Sequence, residues 1–214
     1  MCILAIETST SRGSIAILKN EIIVYQDYAD LMISHSESLM HRIDNILSSL
    51  NIKKNQLSAI SVTTGPGSFT GLRIGLATAK GISTGLKIPL ISFNTLESLA
   101  VNVYGTSKQI LSVLDARTKD AYVALFDSSL NMIMDIQCRK YDRITEGIHG
   151  EFICVGDVHL VETDFYASKH QNVLTAASQF SLMQLKKIDL SYNQDNIYNL
   201  EPLYIKSIPT ATSC

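Results

Sequence analysis

Three short apolar runs open the chain with only turns between them: 2–6 (CILAI), 14–18 (SIAIL) and 22–28 (IIVYQDY), broken by Ser11-Arg12-Gly13 and Lys19-Asn20-Glu21. Runs this short, ended by turn formers, predict three consecutive antiparallel strands. The second break is hairpin-like, polar where the chain must reverse. After a polar stretch at 105–108 the same rhythm returns in 110–116 (ILSVLDA), 121–127 (AYVALFD) and 132–141 (MIMDIQCRKY). A chain that begins the same way twice reads as a duplicated unit. In the first unit the strands are followed by a predicted helix over 34–50, where Leu39, Met40, Ile43, Ile46, Leu47 and Leu50 recur at helical spacing. Ser34 and Glu37 have the spacing of a capping box. A strand at 57–63, a helix from Phe69 to Leu86, a strand opening at Pro89 and a helix over 95–103 with Thr95 as N-cap complete that unit. In the second unit a strand is expected at 152–157, and 160–196 is expected to be helical in part.

This pattern defines the fold class as α/β, a duplicated ribonuclease-H-like fold of the actin/hexokinase-like ATPase class, with two lobes and the second shortened. The expected division is 1–104 for the first lobe, to which the tail 197–214 can return, and 105–196 for the smaller second lobe. The runner-up is a single open α/β sheet. Two features separate them: three strands precede any crossover helix, and the opening repeats at about residue 109.

Charged residues make up only 18% of the chain and the net charge is −2. A protein that grips nucleic acid unaided carries a basic face, and there is no basic surplus here to build one. Cys2, Cys138, Cys154 and Cys214 form no C-x-x-C pair, which argues against zinc and a disulfide framework. No basic region precedes the first apolar run, so it reads as a strand and not a signal peptide. No window approaches the roughly 20 apolar residues that span a bilayer. The cytoplasm is the default, with no membrane contact. His35 and His41 lie six positions apart, on different faces of a helix, and His149, His159 and His170 show no ligand spacing, so no metal site is expected. No G-x-S-x-G elbow or serine triad is visible, and Cys154 falls within a predicted strand.

Four segments could carry chemistry. The turn from Glu7 through Thr8 and Ser9 to Gly13 could offer backbone N–H groups and hydroxyls to a phosphate beside an acid, or could be a Ser/Thr turn satisfying its own backbone. The run Gly65-Pro66-Gly67-Ser68 before a helix is either an anion site at a helix N-terminus or a tight turn with a Ser68 cap. It lacks the lysine and spacing of a P-loop. Gly71, Gly75, Thr78, Ala79 and Ile82, with Leu72, Leu76, Gly81 and Gly85, give the following helix many small positions. Each internal glycine costs about 1 kcal/mol against alanine, which predicts close helix–helix approach, within the chain or to another. The turn Asp115-Ala116-Arg117-Thr118-Lys119, placed as the first turn is, has no glycine and reads as a phosphate contact or as a structural turn with a solvated ion pair.

Taken together, ILAIETST, HSESLM, GPGSFTGLRIGLATAKGI, LDARTKDAYVALFD, VGD and PLYIK resemble the bacterial TsaB (YeaZ) family over nearly the whole chain, GPGSFTGLR being the most specific stretch. The resemblance implies a degenerate relative of TsaD, the transferase that places threonylcarbamoyl on N6 of adenosine 37 in tRNAs reading ANN codons. It implies a non-catalytic subunit that pairs with a TsaD-like partner, is joined by a TsaE-like ATPase, forms homodimers without the partner, and meets tRNA only through the complex. No cofactor is implied for this subunit alone, and ATP or ADP only at the partner interface. Glu7 stands where the wider fold class has aspartate, which departs from a metal-holding first turn. The implied contact surface is the helix pair 34–50 and 69–86. Its expected residues are Leu39, Met40, Ile43, Leu72, Ile74, Leu76 and Ala79, with Arg73 and Lys80 at the rim. Leu76→Glu is then expected to abolish pairing and leave the monomer folded. The alternatives are a stand-alone small-molecule kinase of the same fold class, against which the missing glycines at 115–120 argue, and a metallopeptidase-like protein, which lacks a visible metal set or nucleophile.

Overall fold

The computed structural model describes residues 1–30, 36–161 and 174–205, side chains at 29–30 and 36–38 excepted. Strands β1 (Cys2–Glu7), β2 (Arg12–Lys19) and β3 (Ile22–Gln26) form an antiparallel meander. The β2–β3 hairpin turns at Asn20 and Glu21, with φ of 50° and 66°, the double positive-φ geometry that matches strand twist. The run expected to extend to residue 28 breaks after Gln26 and resumes as a two-residue strand β4 (Ala29–Asp30) paired with β2. Helix α1 (Ser36–Ser49) then crosses over to β5 (Ala59–Gly65), which pairs parallel with β1. Ser34 and the Glu37 side chain, the expected capping box, lie outside the described residues.

Helix α2 (Phe69–Leu86) has the predicted bounds, and Ser68 caps it by accepting from the Gly71 N–H at 3.3 Å. It leads to β6 (Leu90–Asn94), parallel to β5. Helix α3 (Thr95–Ala100) follows. Its cap is Asn94 and not Thr95: the Asn94 Oδ1 accepts from Leu96 and Glu97 N–H, while Thr95 is buried inside the first turn. An amide oxygen on a residue still in extended backbone reaches the open N–H groups more readily than a hydroxyl already in the helix.

The second unit repeats the opening. Strands β7 (Gln109–Asp115), β8 (Asp120–Phe126) and β9 (Met132–Lys140) form a second meander. Strand β10 (Phe152–Gly156) pairs parallel beside β7, as β5 does beside β1. The two sheets therefore have orders β3-β2-β1-β5-β6 and β10-β7-β8-β9. This is the duplicated ribonuclease-H-like topology. The shortening is in the connection 141–151, which carries a single 3-10 turn at Tyr141–Arg143 where the first unit has α1. Helices α4 (Ser178–Lys186) and α5 (Gln194–Asn199) complete the described chain.

The layers follow from side-chain alternation on doubly covered strands. One face of the first sheet packs Leu4, Ile6, Ile15 and Ile17 against Leu39, Ile43, Ile46, Leu76 and Ala79 of α1 and α2. The other face joins Ile3, Ala5, Ala16 and Leu18 to α3, α4 and the inner face of the second sheet, through Leu96, Leu99, Phe126 and Phe180. Among the described residues the outer face of the second sheet is covered by Ile144, Val161 and other loop residues. Among the described residues no helix is long and apolar enough to cross a membrane.

Candidate functional site

The two units face each other across a cleft of about 600 Å³. One wall is the β1–β2 turn and the start of α2 (Ser9, Arg12, Ser68). The other is the β7–β8 turn and the end of β10 (Arg117, Asp157, His159). Several polar groups at the first wall are bonded within the chain. The Thr8 hydroxyl donates to the Gly71 carbonyl at 2.8 Å, and the Ser68 N–H donates to the Ser9 carbonyl at 2.6 Å. The Ser9 N–H and hydroxyl both donate to Oε1 of Glu7, the N–H at 2.6 Å. Glu7 is wholly buried, and burial pushes its carboxyl above the ordinary glutamate range. The Thr63 hydroxyl, also buried, lies beside its carboxyl. Glu7 and Thr8 do not line the cleft and are bonded within the chain, so they read as parts of a structural turn, while Ser9 stays on the cleft wall.

Glycine explains the rest of this wall. Gly65 and Gly67 have φ of 122° and 157°, and a Cβ on Gly67 would fall on the Ser9 carbonyl oxygen. A Cβ on Gly71 would fall on the Thr8 carbonyl, and one on Gly75 on the Thr8 hydroxyl. The first half of α2 is thus small because it lies against the β1–β2 turn, and not against another helix as the spacing suggested. On the second wall Asp115 accepts from the Arg117 N–H at 2.7 Å and from the Tyr141 hydroxyl at 2.8 Å. The expected ion pair is replaced by a backbone cap, which holds Arg117, Thr118 and Lys119 at φ of 62°, 54° and 63° without glycine.

The second half of α2 is different. Gly81 and Gly85 have nothing within 4 Å of where a Cβ would stand. Both are exposed, in line with Ala77, also exposed. Neither packing against the described residues nor dihedral angle requires these two glycines. Charge separates the two helices further. On α1, Arg42 pairs with Asp27 at 2.6 Å and Asp44 with Lys54 at 2.8 Å. On α2, Arg73 and Lys80 pair with no carboxylate among the described residues, and the helix carries no acid of its own.

Residues 30–196 match the family model of TsaD, tRNA N6-adenosine threonylcarbamoyltransferase. The tRNA threonylcarbamoyladenosine biosynthesis protein TsaB of Bacillus subtilis (strain 168) is 35% identical over 126 residues, 59% of this chain and 55% of that protein. The TsaB of Escherichia coli (strain K12) is 31% identical over 135 residues, 62% of this chain and 58% of that protein. The chain belongs to the TsaD family, on its TsaB (YeaZ) branch. The alignments span a little over half the length of these TsaB relatives. A solved Pseudomonas aeruginosa protein described as similar to peptidase YEAZ superposes with a TM-score of 0.78 at 19% identity, covering 96% of this chain and 99% of that one, a likeness of fold.

The contact residues expected from the TsaB resemblance divide by helix face. Leu39, Ile43, Leu72, Leu76 and Ala79 are between 0% and 4% exposed and face the first sheet. They are this TsaB-branch chain's own core and cannot meet a partner directly. Apolar periodicity marks the inward stripe of an amphipathic helix, so reading it as the contact stripe inverted the helix. Met40 and Ile74 are half-buried at the edge of that core. Arg73 is exposed and Lys80 half-exposed. The outward residues that the sequence reading did not select are Ala77, Gly81 and Gly85. Their signal was the glycine surplus, but the sequence does not separate glycines pressed on the β1–β2 turn from glycines facing out.

Proposed function

We propose that this chain is a non-catalytic partner subunit in the formation of N6-threonylcarbamoyladenosine at position 37 of ANN-decoding tRNAs, binding and activating a TsaD-like transferase. One observation carries the reading: α2 keeps Gly81 and Gly85 on its outer face at a cost of about 1 kcal/mol each, with nothing among the described residues to require them. Glycines there let a second backbone approach closely, the condition for tight helix packing. Membership of the TsaB branch supports the same reading, and so do the Thr8 and Ser9 groups of the β1–β2 turn, which are bonded within the chain. That turn disfavours the kinase alternative.

In this reading a TsaE-like ATPase joins the pair, a homodimer forms when the transferase is absent, and tRNA is met only through the complex. ATP or ADP is held only where the two subunits meet. The deciding measurement is size-exclusion chromatography with light scattering on this protein alone and mixed with the TsaD homologue of the same cell. The expected result is exchange into a heterodimer. A strict monomer that ignores the transferase and turns over ATP by itself refutes the proposal.

A further inference from the structure

Strand β3 ends the first sheet, and among the described residues nothing pairs with its outer edge. It stands in water on both faces. Ile22 pairs with Lys19 of β2 and Ile23 with Leu18, so these two side chains point to opposite faces of the sheet. Ile22 is 67% exposed, Ile23 47% and Val24 39%. Tyr25 packs against the core under α1 and α2. From Ile22 to Gln26 the strand has no charge and no proline, the residues that keep an open edge from pairing. A register shift opposite Val24 twists the ladder with β2 but sets no repelling group on the outer edge. The duplicated unit supplies the comparison. Strand β9 is the third strand of its meander and the last of its sheet, as β3 is of the first. It too exposes apolar side chains, Met132 and Ile133, but it carries Asp135, Arg139 and Lys140 along its length. The same place in the fold is guarded by charge in one unit and left apolar in the other.

We infer that β3 pairs antiparallel with β3 of a second copy of this chain, with Ile23 at the two-fold axis. In that register Ile23 faces its own counterpart, and Ile22 of each copy faces Val24 of the other. Every exposed apolar side chain of the strand is then set against another. No like charges stand opposite one another, because the strand has none. Such pairing is isologous and closes after two copies, which removes the open edge from both. A strand of an unrelated chain would have to bring a matching apolar set of its own. The joint lies at the other edge of the sheet from β5 and β6, on which α2 packs. It leaves the outer face of α2 free and is separate from the transferase contact proposed above. Three side chains and one strand make a small contact, so the dimer is expected to be weak.

The test is sedimentation velocity on the full-length protein at concentrations up to about 0.5 mM, for wild type, Ile23→Lys and Val24→Lys, with thermal unfolding of each. Both side chains stand outside the core, so the variants are expected to unfold at the wild-type temperature. Wild type is expected to form a concentration-dependent dimer. Ile23→Lys sets like charges across the axis and is expected to weaken it at least about tenfold, and Val24→Lys to weaken it through loss of the apolar pair. Residues opposite each other in a ladder lie about 4.5–5.5 Å apart at Cβ, so Ile23→Cys is expected to give a disulfide-linked dimer with diamide that wild type does not. If a lysine variant unfolds early, this cross-link decides. A wild type that stays monomeric at the highest concentration overturns the inference. So does a dimer that both lysine variants retain, or an Ile23→Cys variant that does not cross-link, since either assigns self-association to another face. The transferase proposal is tested separately, on mixed samples, and stands or falls without this joint.

Discussion

Gly75 and Gly81 sit six positions apart on one helix and predict opposite responses to the same substitution. Replacing glycine with alanine inside a helix stabilises it by about 1 kcal/mol where the new methyl is free. At Gly81 a Cβ meets nothing within 4 Å, so Gly81→Ala is expected to stabilise the monomer by up to about 1 kcal/mol, raising Tm by roughly 2–4 °C in a chain of this size. At Gly75 the Cβ falls on the Thr8 hydroxyl, with Thr8 Cβ at 3.2 Å. Thr8 is 1% exposed and its hydroxyl is bonded to the Gly71 carbonyl. Making room breaks that bond and overpacks the turn, about 1–3 kcal/mol against the helical gain. The two variants are expected to differ by about 2 kcal/mol, with Tm values some 4–8 °C apart. Thermal unfolding followed by circular dichroism measures this directly. Gly81→Ala should at the same time weaken pairing with the transferase, because the methyl occupies space a partner backbone would take. If Gly81→Ala destabilises the chain, or Gly75→Ala does not, the assignment of inward and outward glycines is wrong.

The other expectations are simpler. The Glu7 carboxyl is held above its ordinary value of 4.5 by burial, so the folded chain binds its proton more tightly than the unfolded chain. That contribution is complete below 4.5 and is lost as pH rises through the raised native value. Glu7→Gln should therefore match wild type in acid and exceed it in stability at neutral and alkaline pH. Urea unfolding across pH tests this, and a wild type that gains stability relative to the variant as pH rises refutes it. Leu76 is 4% exposed in the core between α2 and the first sheet, so Leu76→Glu buries an unpaired charge at a cost of several kcal/mol. Contrary to the sequence expectation the monomer should unfold, and a native circular dichroism spectrum would contradict this. Cys154 is fully buried, with its thiol pushed up to about 12. It should resist thiol reagents until the chain is denatured, as mass-spectrometric labelling would reveal.

Local signals carried the fold because its elements are short-range. Strand runs ended by turn residues, helical spacing from Phe69 to Leu86 and the Ser68 cap each depend on neighbours within a few positions, and the repeat of the opening at β7 to β9 made the duplication legible. The missing crossover helix of the second unit follows from the same rule, because the polar, irregular stretch before residue 152 carries no helical period. The N-cap of α3 was misplaced by one residue, since Asn94 and Thr95 are both capping types and only the backbone angle at Asn94 decides.

The sequence alone determined the family pattern, the glycine surplus of α2 and the absence of acid along it. Only the tertiary structure decided which way that helix faces and what its glycines touch. Burial and contact are set by segments far apart in the chain: the turn at Thr8 fills the space before Gly71 and Gly75, and Tyr204 reaches Arg73 from 131 positions away. A one-dimensional period marks a stripe of residues, but whether that stripe meets its own sheet or another protein depends on what the rest of the chain lays against it.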